Sequence, residues 1–464
     1  MRKLLKSIVP ETSALRLSYH RAKSLIAAVW YGFPAKKLVV IGITGTDGKT
    51  TTVGMIAHIL NDCDIKTGAF STAFFRIGND TKSNPTQKTS PSPFLVQKLL
   101  RDFVRAGCTH VVLECSSHGL LQGRLNYTYP KVAGITNLTS EHLDYHGSMK
   151  EYAQAKSILF RMLRGTGTKV LHYSDESYAT LSNIPSERTM LFNLEEVEID
   201  SRLGAPLNFS LEETTQTKNG STATLVADGR EASGSTRHAL TLHIPGLFNM
   251  ENALLAIGCV QGLPDSPPIP KIVTSLSTFS GVAGRMEKIV GGQDFSVFID
   301  FTVTPKSYEA TLSTLRSMLE PEKRLLVLAG SCGDRMKEKR PVIGRLCTTF
   351  ADITVITNED PYTEDPEAII DSILTGVMPD VPIFRDDLAG TARHQKYCVR
   401  ISDRLQAIQF ILTEARTGDI VLLAGKGSDT TMMVKSGQVP WNEREIVRGV
   451  LRTVSARTKS PAQP

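Results

Sequence analysis

The sequence predicts an α/β protein built from two largely parallel sheets with helices on both faces. Short apolar runs at 38–43, 110–113, 132–136, 325–329, 353–356 and 419–424 alternate with helix-length amphipathic segments. That is the pattern of strands buried on both faces and joined by crossover helices. Residues 205–244 break the rhythm with alternating Thr, Ser and Gly, which predicts a small antiparallel patch, and a second α/β unit begins near residue 281. A chain of 464 residues is also too long for a single hydrophobic core, so it should divide into domains.

Composition narrows the class. With 41% hydrophobic and 22% charged residues, large-scale disorder is excluded. A net charge of +6 over this length does not demand a nucleic-acid partner and suits an anionic substrate. Seven cysteines (Cys63, Cys108, Cys115, Cys259, Cys332, Cys347 and Cys398) are scattered without a CxxC pair. They read as reduced thiols of a cytoplasmic protein, neither a disulfide framework nor a zinc site. The longest apolar stretch, Leu25 to Trp30 extended to Phe33, is too short to span a bilayer and lacks a cleavage site.

Residues 1–36 form a basic amphipathic N-terminal region, with Arg2, Lys3, Lys6, Arg16, Arg21, Lys23 and Lys36 against the single acid Glu11. Ser13 to Tyr31 predicts one helix, basic at its start and apolar at its end. It either docks on the body of the protein or meets a membrane surface or a partner.

The run Leu38-Val-Val-Ile-Gly-Ile-Thr-Gly-Thr-Asp-Gly-Lys-Thr-Thr-Thr52 is a buried strand leading through a glycine turn into a helix patterned by Val53, Ile56 and Leu60. Gly45, Thr46, Asp47 and Gly48 make the turn, and Lys49, Thr50 and Thr51 open the helix. Glycine lets backbone N–H groups approach phosphate oxygens closely, and the helix N-terminus adds partial positive charge. Lys49 can neutralise terminal phosphates and the Thr50 hydroxyl can hold Mg²⁺. The loop is one residue shorter than GxxxxGK[ST], with Ile43 at the first glycine position.

Three later residues fall where such a nucleotide site needs them. Glu114 ends the strand Thr109–Leu113, at the carboxyl edge of the sheet where ligands bind. The strand 132–136 leads into a segment containing His142. Lys156 lies on a helix whose core positions are Tyr152, Ala155, Leu159 and Met162, so it borders the buried face. Plainer readings are a strand-end salt bridge for Glu114 and a snorkelling surface lysine for Lys156.

The runs Gly45–Thr52, Glu114–Arg124, His142–Gly147 and Ala155–Phe160 together resemble the MurE-type Mur ligases, the UDP-N-acetylmuramoyl-tripeptide synthetases. Further matches are Gly246–Asn252, Gly284–Glu287, Thr304-Pro305, Gly333–Arg335, Lys339–Pro341, Glu364–Pro366 and Ala424–Gly427, so the resemblance runs from Leu38 to Val450. It implies a central P-loop ATPase domain over 37–280 and a C-terminal Rossmann-like domain over 281–464. It also implies an ATP-dependent ligase that joins an amino acid to a muramoyl-peptide carboxylate, or another acceptor, through an acyl phosphate in peptidoglycan synthesis.

The resemblance further implies roles for individual residues. Lys49 and Thr50 would hold the ATP phosphates and one Mg²⁺, and Glu114 and His142 would help coordinate magnesium. Lys156 would be carbamylated and position a second ion. Asn249 would contact adenine, and Arg285 with Asp300 would close on ATP. Thr89, Ser90, Ser116, Ser117 and Arg124 would hold the muramoyl peptide. Glu359, Asp360, Tyr362, Gly425 and Asp429 fall in the segments that select the amino acid.

Four departures from the family pattern bear on substrate choice. Only residues 1–36 stand where the family carries a UDP-binding domain. Asp300-Phe-Thr-Val-Thr-Pro305 has Val303 in place of a histidine. Glu359-Asp-Pro-Tyr362 has Tyr362 in place of the arginine of diaminopimelate enzymes, and tyrosine cannot make arginine's bidentate carboxylate contact. Asp429 replaces a glutamate and has a shorter reach toward a substrate ammonium. Two alternatives stay open. One is another amide ligase of the superfamily, of the folylpolyglutamate synthetase kind, and the other is a non-catalytic nucleotide-binding paralogue.

Overall fold

The computed structural model describes residues 13–197, 207–217, 219–228, 235–385 and 395–459. Arg2, Lys3, Lys6 and Glu11 of the basic N-terminal region lie outside them. The chain forms two compact units. One comprises Met1–Thr215, Ser221–His243 and Phe248–Ser280, and the other Gln216–Gly220, Ile244–Leu247 and Gly281–Pro464.

The first unit is organised on one sheet. Its strands are β1 (Val39–Thr44), β2 (Thr67–Phe70), β3 (Phe74–Ile77), β4 (Asp80–Ser83), β5 (His110–Glu114), β6 (Pro130–Ile135), β7 (Thr168–His172), β8 (Arg188–Phe192), β9 (Leu207–Thr217), β10 (Gly220–Asp228) and β11 (Ser235–Leu242). Their order is β11-β10-β9-β8-β7-β6-β1-β5-β2-β3-β4. Pairing from β2 through β5, β1, β6, β7 and β8 to β9 is parallel. The predicted patch at 205–244 is therefore no separate element. β10 and β11 do pair antiparallel, but β9 adds to β8 in parallel and extends the main sheet.

β1 lies at the centre, flanked by β5 and β6. Five of its six residues are buried, as a Val/Ile-rich strand covered on both faces must be. Gly42 sets the layer above it: a Cβ there would stand 2.6 Å from Leu159 Cδ1. The helix Met149–Arg161 can press its Leu159 onto the strand only because that Cβ is missing. Ser148 caps the helix by accepting from Glu151 N–H. Tyr152, Ala155 and Leu159 are buried as their spacing predicts.

The predicted N-terminal helix forms over Ala14–Trp30, capped by Ser13. Small residues make its inner face: Ser24, Ala27 and Ala28 are buried. Ser24 Oγ donates to Gly123 O at 2.7 Å, and the Arg101 guanidinium stacks 4.4 Å from the Tyr31 ring. No helix among the described residues is long and apolar enough to cross a membrane.

The second unit has β12 (Glu287–Ile289), β13 (Ser296–Asp300), β14 (Leu325–Ala329), β15 (Ile353–Ile356), β16 (Ile383–Phe384), β17 (Tyr397–Arg400) and β18 (Ile420–Ala424). They are ordered β12-β13-β18-β14-β15-β17-β16, and all pairs are parallel except β12 with β13. A short ribbon of β19 (Thr431–Val434) and β20 (Gly437–Pro440) follows. The sequence predicts a disordered tail after Val454. Instead the helix begun at Glu443 continues to Lys459, and residues 460–464 lie outside the described ones.

A buried ion pair locks this sheet's carboxyl edge. Arg404 Nη2 meets Glu443 Oε1 at 2.6 Å with both side chains almost wholly enclosed, and Arg404 also donates to the carbonyls of Asn358 and Ala424. Arg404→Ala leaves a buried carboxylate and two carbonyls without that donor. Urea denaturation should show a loss of about 3–5 kcal/mol in the second unit.

Candidate active site

The glycine turn opens at the end of β1. Gly45 and Gly48 have φ of 140° and 82°, in the region that favours glycine. Space is as restrictive as conformation. A Cβ on Gly45 would stand 1.8 Å from Thr136 Oγ1, and one on Gly48 would stand 2.2 Å from Asn252 Oδ1. Gly48 then leads directly into the helix Lys49–Asp62 with no side chain capping its first N–H groups. Uncapped amides at a helix start favour an anionic ligand.

The loop is held from below. Asn137 Oδ1 accepts from Asp47 N at 3.0 Å, Asn137 O accepts from Thr46 N at 2.9 Å, and Thr136 Oγ1 donates to Asp47 O at 2.6 Å. Asn252 accepts from Thr52 Oγ1 and donates to Asn249 Oδ1. Asn249, read from the sequence as an adenine contact, is thus buried against the back of the glycine turn. Lys49 Nζ donates to Thr46 O at 2.6 Å, folded over its own loop.

Glu114 arrives from β5, in register with Ile43 of β1. It is buried, and Thr50 and Thr72 donate to it. Its Oε2 accepts from Thr50 Oγ1 at 3.0 Å and Thr72 N at 2.7 Å, and its Oε1 accepts from Thr72 Oγ1 at 3.0 Å. The salt-bridge reading therefore gives way to a carboxylate held by hydroxyls and a backbone amide beside the glycine turn. Thr72, on the turn after β2, was not singled out in the sequence.

Lys156 is no surface lysine: its side chain is buried, which overturns the snorkelling alternative. Nζ donates to Gly45 O at 2.5 Å and lies 4.2 Å from the Tyr152 ring centroid. Burial, with the Lys49 charge second, pushes its pKa well below the ordinary lysine value, while Asp47, Asp175 and Glu141 pull weakly the other way. The amine is accordingly disposed to be neutral. Tyr152 completes the group, its hydroxyl 3.3 Å from Thr46 Oγ1.

His142 adopts a left-handed backbone, φ 57°, at the start of the short helix Leu143–His146. Its ring meets His118 edge-on at 4.9 Å. Burial is the main cause that drives its pKa down to about 2, with His118, Lys156, Lys49 and His146 acting the same way whenever they carry charge, so the imidazole is neutral. His146 is lowered to about 4, chiefly by burial, and pairs with Ser117 Oγ at 3.0 Å.

The remaining residues assigned to the acceptor gather around Glu114. Thr89 Oγ1 is 2.8 Å from Thr72 Oγ1. Ser90 Oγ accepts from Ser116 N at 3.0 Å, and Ser116 caps the helix Ser117–Leu121. Arg124 donates to Ser90 O at 2.8 Å and to Gln122 Oε1.

In the second unit Lys426 joins acids from the two segments that the family resemblance implies select the amino acid. Its Nζ contacts both oxygens of Asp360 at 2.9 Å and Asp429 Oδ2 at 3.3 Å. Burial works against that ammonium, but Asp429 and Asp360 outweigh it and hold its pKa above the ordinary lysine value. The Asp429 carboxylate, read from the sequence as an acceptor for a substrate ammonium, already faces Lys426. Burial raises Glu359 to about 7, and Gly425, φ 103°, gives it room: a Cβ there would stand 2.3 Å from Glu359 Oε2. Tyr362 receives a hydrogen bond from Arg335 at 3.1 Å, with that guanidinium 5.0 Å from its ring centroid. Asp300 Oδ1 accepts from Met286 N at 2.6 Å, and Arg285 stacks 4.4 Å from the Phe301 ring. The Val303 carbonyl accepts from Lys339 Nζ at 2.9 Å.

Known proteins resemble this chain in sequence and fold. The Mur ligase middle domain matches residues 43–260, and the Mur ligase glutamate ligase domain matches 284–427. A UDP-N-acetylmuramyl-tripeptide synthetase of Roseiflexus sp. (strain RS-1) is 33% identical over 451 residues, covering 94% of this chain and 83% of that protein. A solved structure of UDP-N-acetylmuramoyl-L-alanyl-D-glutamate–2,6-diaminopimelate ligase superposes with a TM-score of 0.60 at 26% identity, covering 91% of this chain and 79% of its own. A folylpolyglutamate synthase from Mycobacterium tuberculosis, at 16% identity and TM-score 0.67 over 94% of this chain and 95% of that one, shares the fold. A glycine turn with Glu114 and a buried lysine at its rim, on a chain matched over nearly its whole length, places this protein in the Mur ligase family.

Proposed function

We propose that the protein joins an amino acid to the terminal carboxylate of a muramoyl-peptide precursor of peptidoglycan, using ATP and passing through an acyl phosphate. The observation that carries this reading is the grouping of Glu114, Thr50 and Lys156 around Gly45–Lys49. A carboxylate does not acylate an amine in water because hydroxide is a poor leaving group. Attack of the carboxylate oxygen on the γ-phosphorus breaks the bond to the β-bridging oxygen, releasing ADP and leaving an acyl phosphate. The amine nitrogen then attacks the acyl carbon, loses its proton to a base, and phosphate departs.

The first step brings two anions together, so this site must neutralise charge. Lys49 and the free amides after Gly48 hold the terminal phosphates. The donor set fits magnesium: Thr50 and Glu114 offer oxygen only, and Mg²⁺ favours one or two carboxylates with phosphates and water. Magnesium held by Thr50 and Glu114 would offset charge on the transferring phosphoryl group. A carbamate on Lys156 would add a further oxygen ligand, and burial shifts that amine toward the neutral form that adds carbon dioxide. Neutral His142 stands by to accept a hydrogen bond or a ligand. The buried Asp360–Lys426–Asp429 set and Tyr362 shape the amino-acid site, and the absence of an arginine at 362 argues against diaminopimelate.

An ADP-release screen over acceptor and amino-acid pairs tests the reading. A UDP-muramoyl dipeptide should stimulate ADP release at least about 10-fold over ATP alone, with an amino acid required for product. Stimulation by folates alone would move the protein to the folylpolyglutamate class, and nucleotide binding without turnover on any acceptor would make it a non-catalytic paralogue.

A further inference from the structure

The helix Ala14–Trp30 carries its side chains the opposite way round from an ordinary surface helix. Ser24, Ala27 and Ala28 face the protein, while Leu15, Tyr19, Ile26, Val29 and Trp30 face solvent, with Leu15 75% and Trp30 72% exposed. At about 3.6 residues per turn these outward residues fall on one arc, a stripe running the roughly 25 Å length of the helix. A stripe of this size is more than scattered surface apolarity.

Its borders are charged with one sign. On the helical projection Arg16 and Lys23 flank one side, and the exposed Lys36 and Lys37 follow the helix. No acid occurs between Glu11 and Asp47. A second copy of this helix would bring the cations of both copies together with no acid from the segment to offset them, so self-pairing is disfavoured. Tyr19 and Trp30 each combine an apolar ring with a polar tip, the chemistry enriched where hydrocarbon meets water.

We propose that this stripe docks the protein on an anionic lipid surface. The helix lies in the plane of the headgroups with Leu15, Tyr19, Ile26, Val29 and Trp30 inserted, and Lys23, Lys36 and Lys37 on lipid phosphates. The inference is independent of the ligase reading, because none of these residues belongs to the nucleotide or acceptor site.

Sedimentation of the full chain with vesicles tests it. Vesicles of phosphatidylglycerol and phosphatidylcholine should bind at low salt at least about 10-fold more strongly than phosphatidylcholine alone, and roughly 0.5 M salt should weaken that binding. With Trp441→Phe leaving one of the two tryptophans, Trp30 emission should shift to the blue on anionic vesicles. The double variant Ile26→Glu, Trp30→Glu, both at exposed positions, should keep its thermal transition and its ADP release yet lose vesicle binding by at least about 10-fold. Equal binding by that variant, or no sedimentation of the parent with either vesicle, overturns the proposal. So does light scattering that shows a dimer dissolved by Ile26→Glu, which would make a second copy the occupant. Vesicle binding seen only after deletion of residues 1–12 would assign the stripe to that segment instead, again against the proposal.

Discussion

Lys156→Ala should lower turnover by at least about 10³-fold while leaving the protein folded, and short carboxylic acids added to the variant should restore part of the rate. The expectation rests on where the amine is held. Nζ is enclosed between Gly45 O and the Tyr152 ring, with Lys49 as a charged neighbour. A lysine kept there as a cation would repel the other cations of a phosphate site. A neutral amine that adds carbon dioxide becomes an anion and reverses the sign of that contribution. Lys156→Met separates catalysis from stability. It withdraws one hydrogen bond from a buried carbonyl but also removes a buried amine, so urea denaturation should move by no more than about 2 kcal/mol while activity disappears.

The pH dependence carries a definite sign. The folded-state pKa of Lys156 lies below its unfolded value, so below the ordinary lysine pKa the unfolded chain binds more protons. This residue therefore subtracts from stability at low pH, and the penalty fades as pH rises toward that ordinary value. In bicarbonate-free buffer, Lys156→Met should flatten that part of the stability profile. A variant with full activity, or no rescue by any small carboxylate, would remove the carbamate assignment.

How legible these features were depended on whether a local pattern encodes them. The strand, the glycine turn and Glu114 are local: period, turn residues and strand end place them at one sheet edge without reference to the rest of the chain. Lys156 is different. Helical spacing puts it at the border of a buried face, and that border is equally suitable for a surface lysine. Its enclosure follows from Gly42, whose missing side chain admits Leu159 and draws the helix down onto β1. Thr72 was invisible for a related reason. It meets Glu114 through strand pairing across a long stretch of sequence and carries no motif. The N-terminal helix was legible as a helix with an apolar end. Only the packing of Ser24, Ala27 and Ala28 shows which face is turned outward. The tail was misread because the charges of Glu443–Lys459 obscure a helical stripe whose Val447 and Leu451 are fully buried.

Glu114→Gln should be as damaging to activity as loss of the lysine, about 10³-fold in kcat, and nearly silent in stability. The hydrogen-bond pattern permits this separation. An amide oxygen at the Oε2 position still accepts from Thr50 Oγ1 and Thr72 N. The amide nitrogen then replaces Oε1 and donates to Thr72 Oγ1, whose own proton can turn to Thr89 Oγ1, 2.8 Å away. Every partner remains satisfied, so the cost in folding should stay below about 1 kcal/mol. What vanishes is the negative charge beside Thr50. Magnesium-dependent nucleotide affinity should fall with it, whereas metal-free nucleotide binding, supported by Lys49 and the helix amides, should persist. Titration of the variant with ATP in the presence and absence of magnesium reads both quantities. If Glu114→Gln kept its magnesium dependence, the carboxylate would be a structural anchor for the Thr72 turn, and the metal would have to be held by other oxygens.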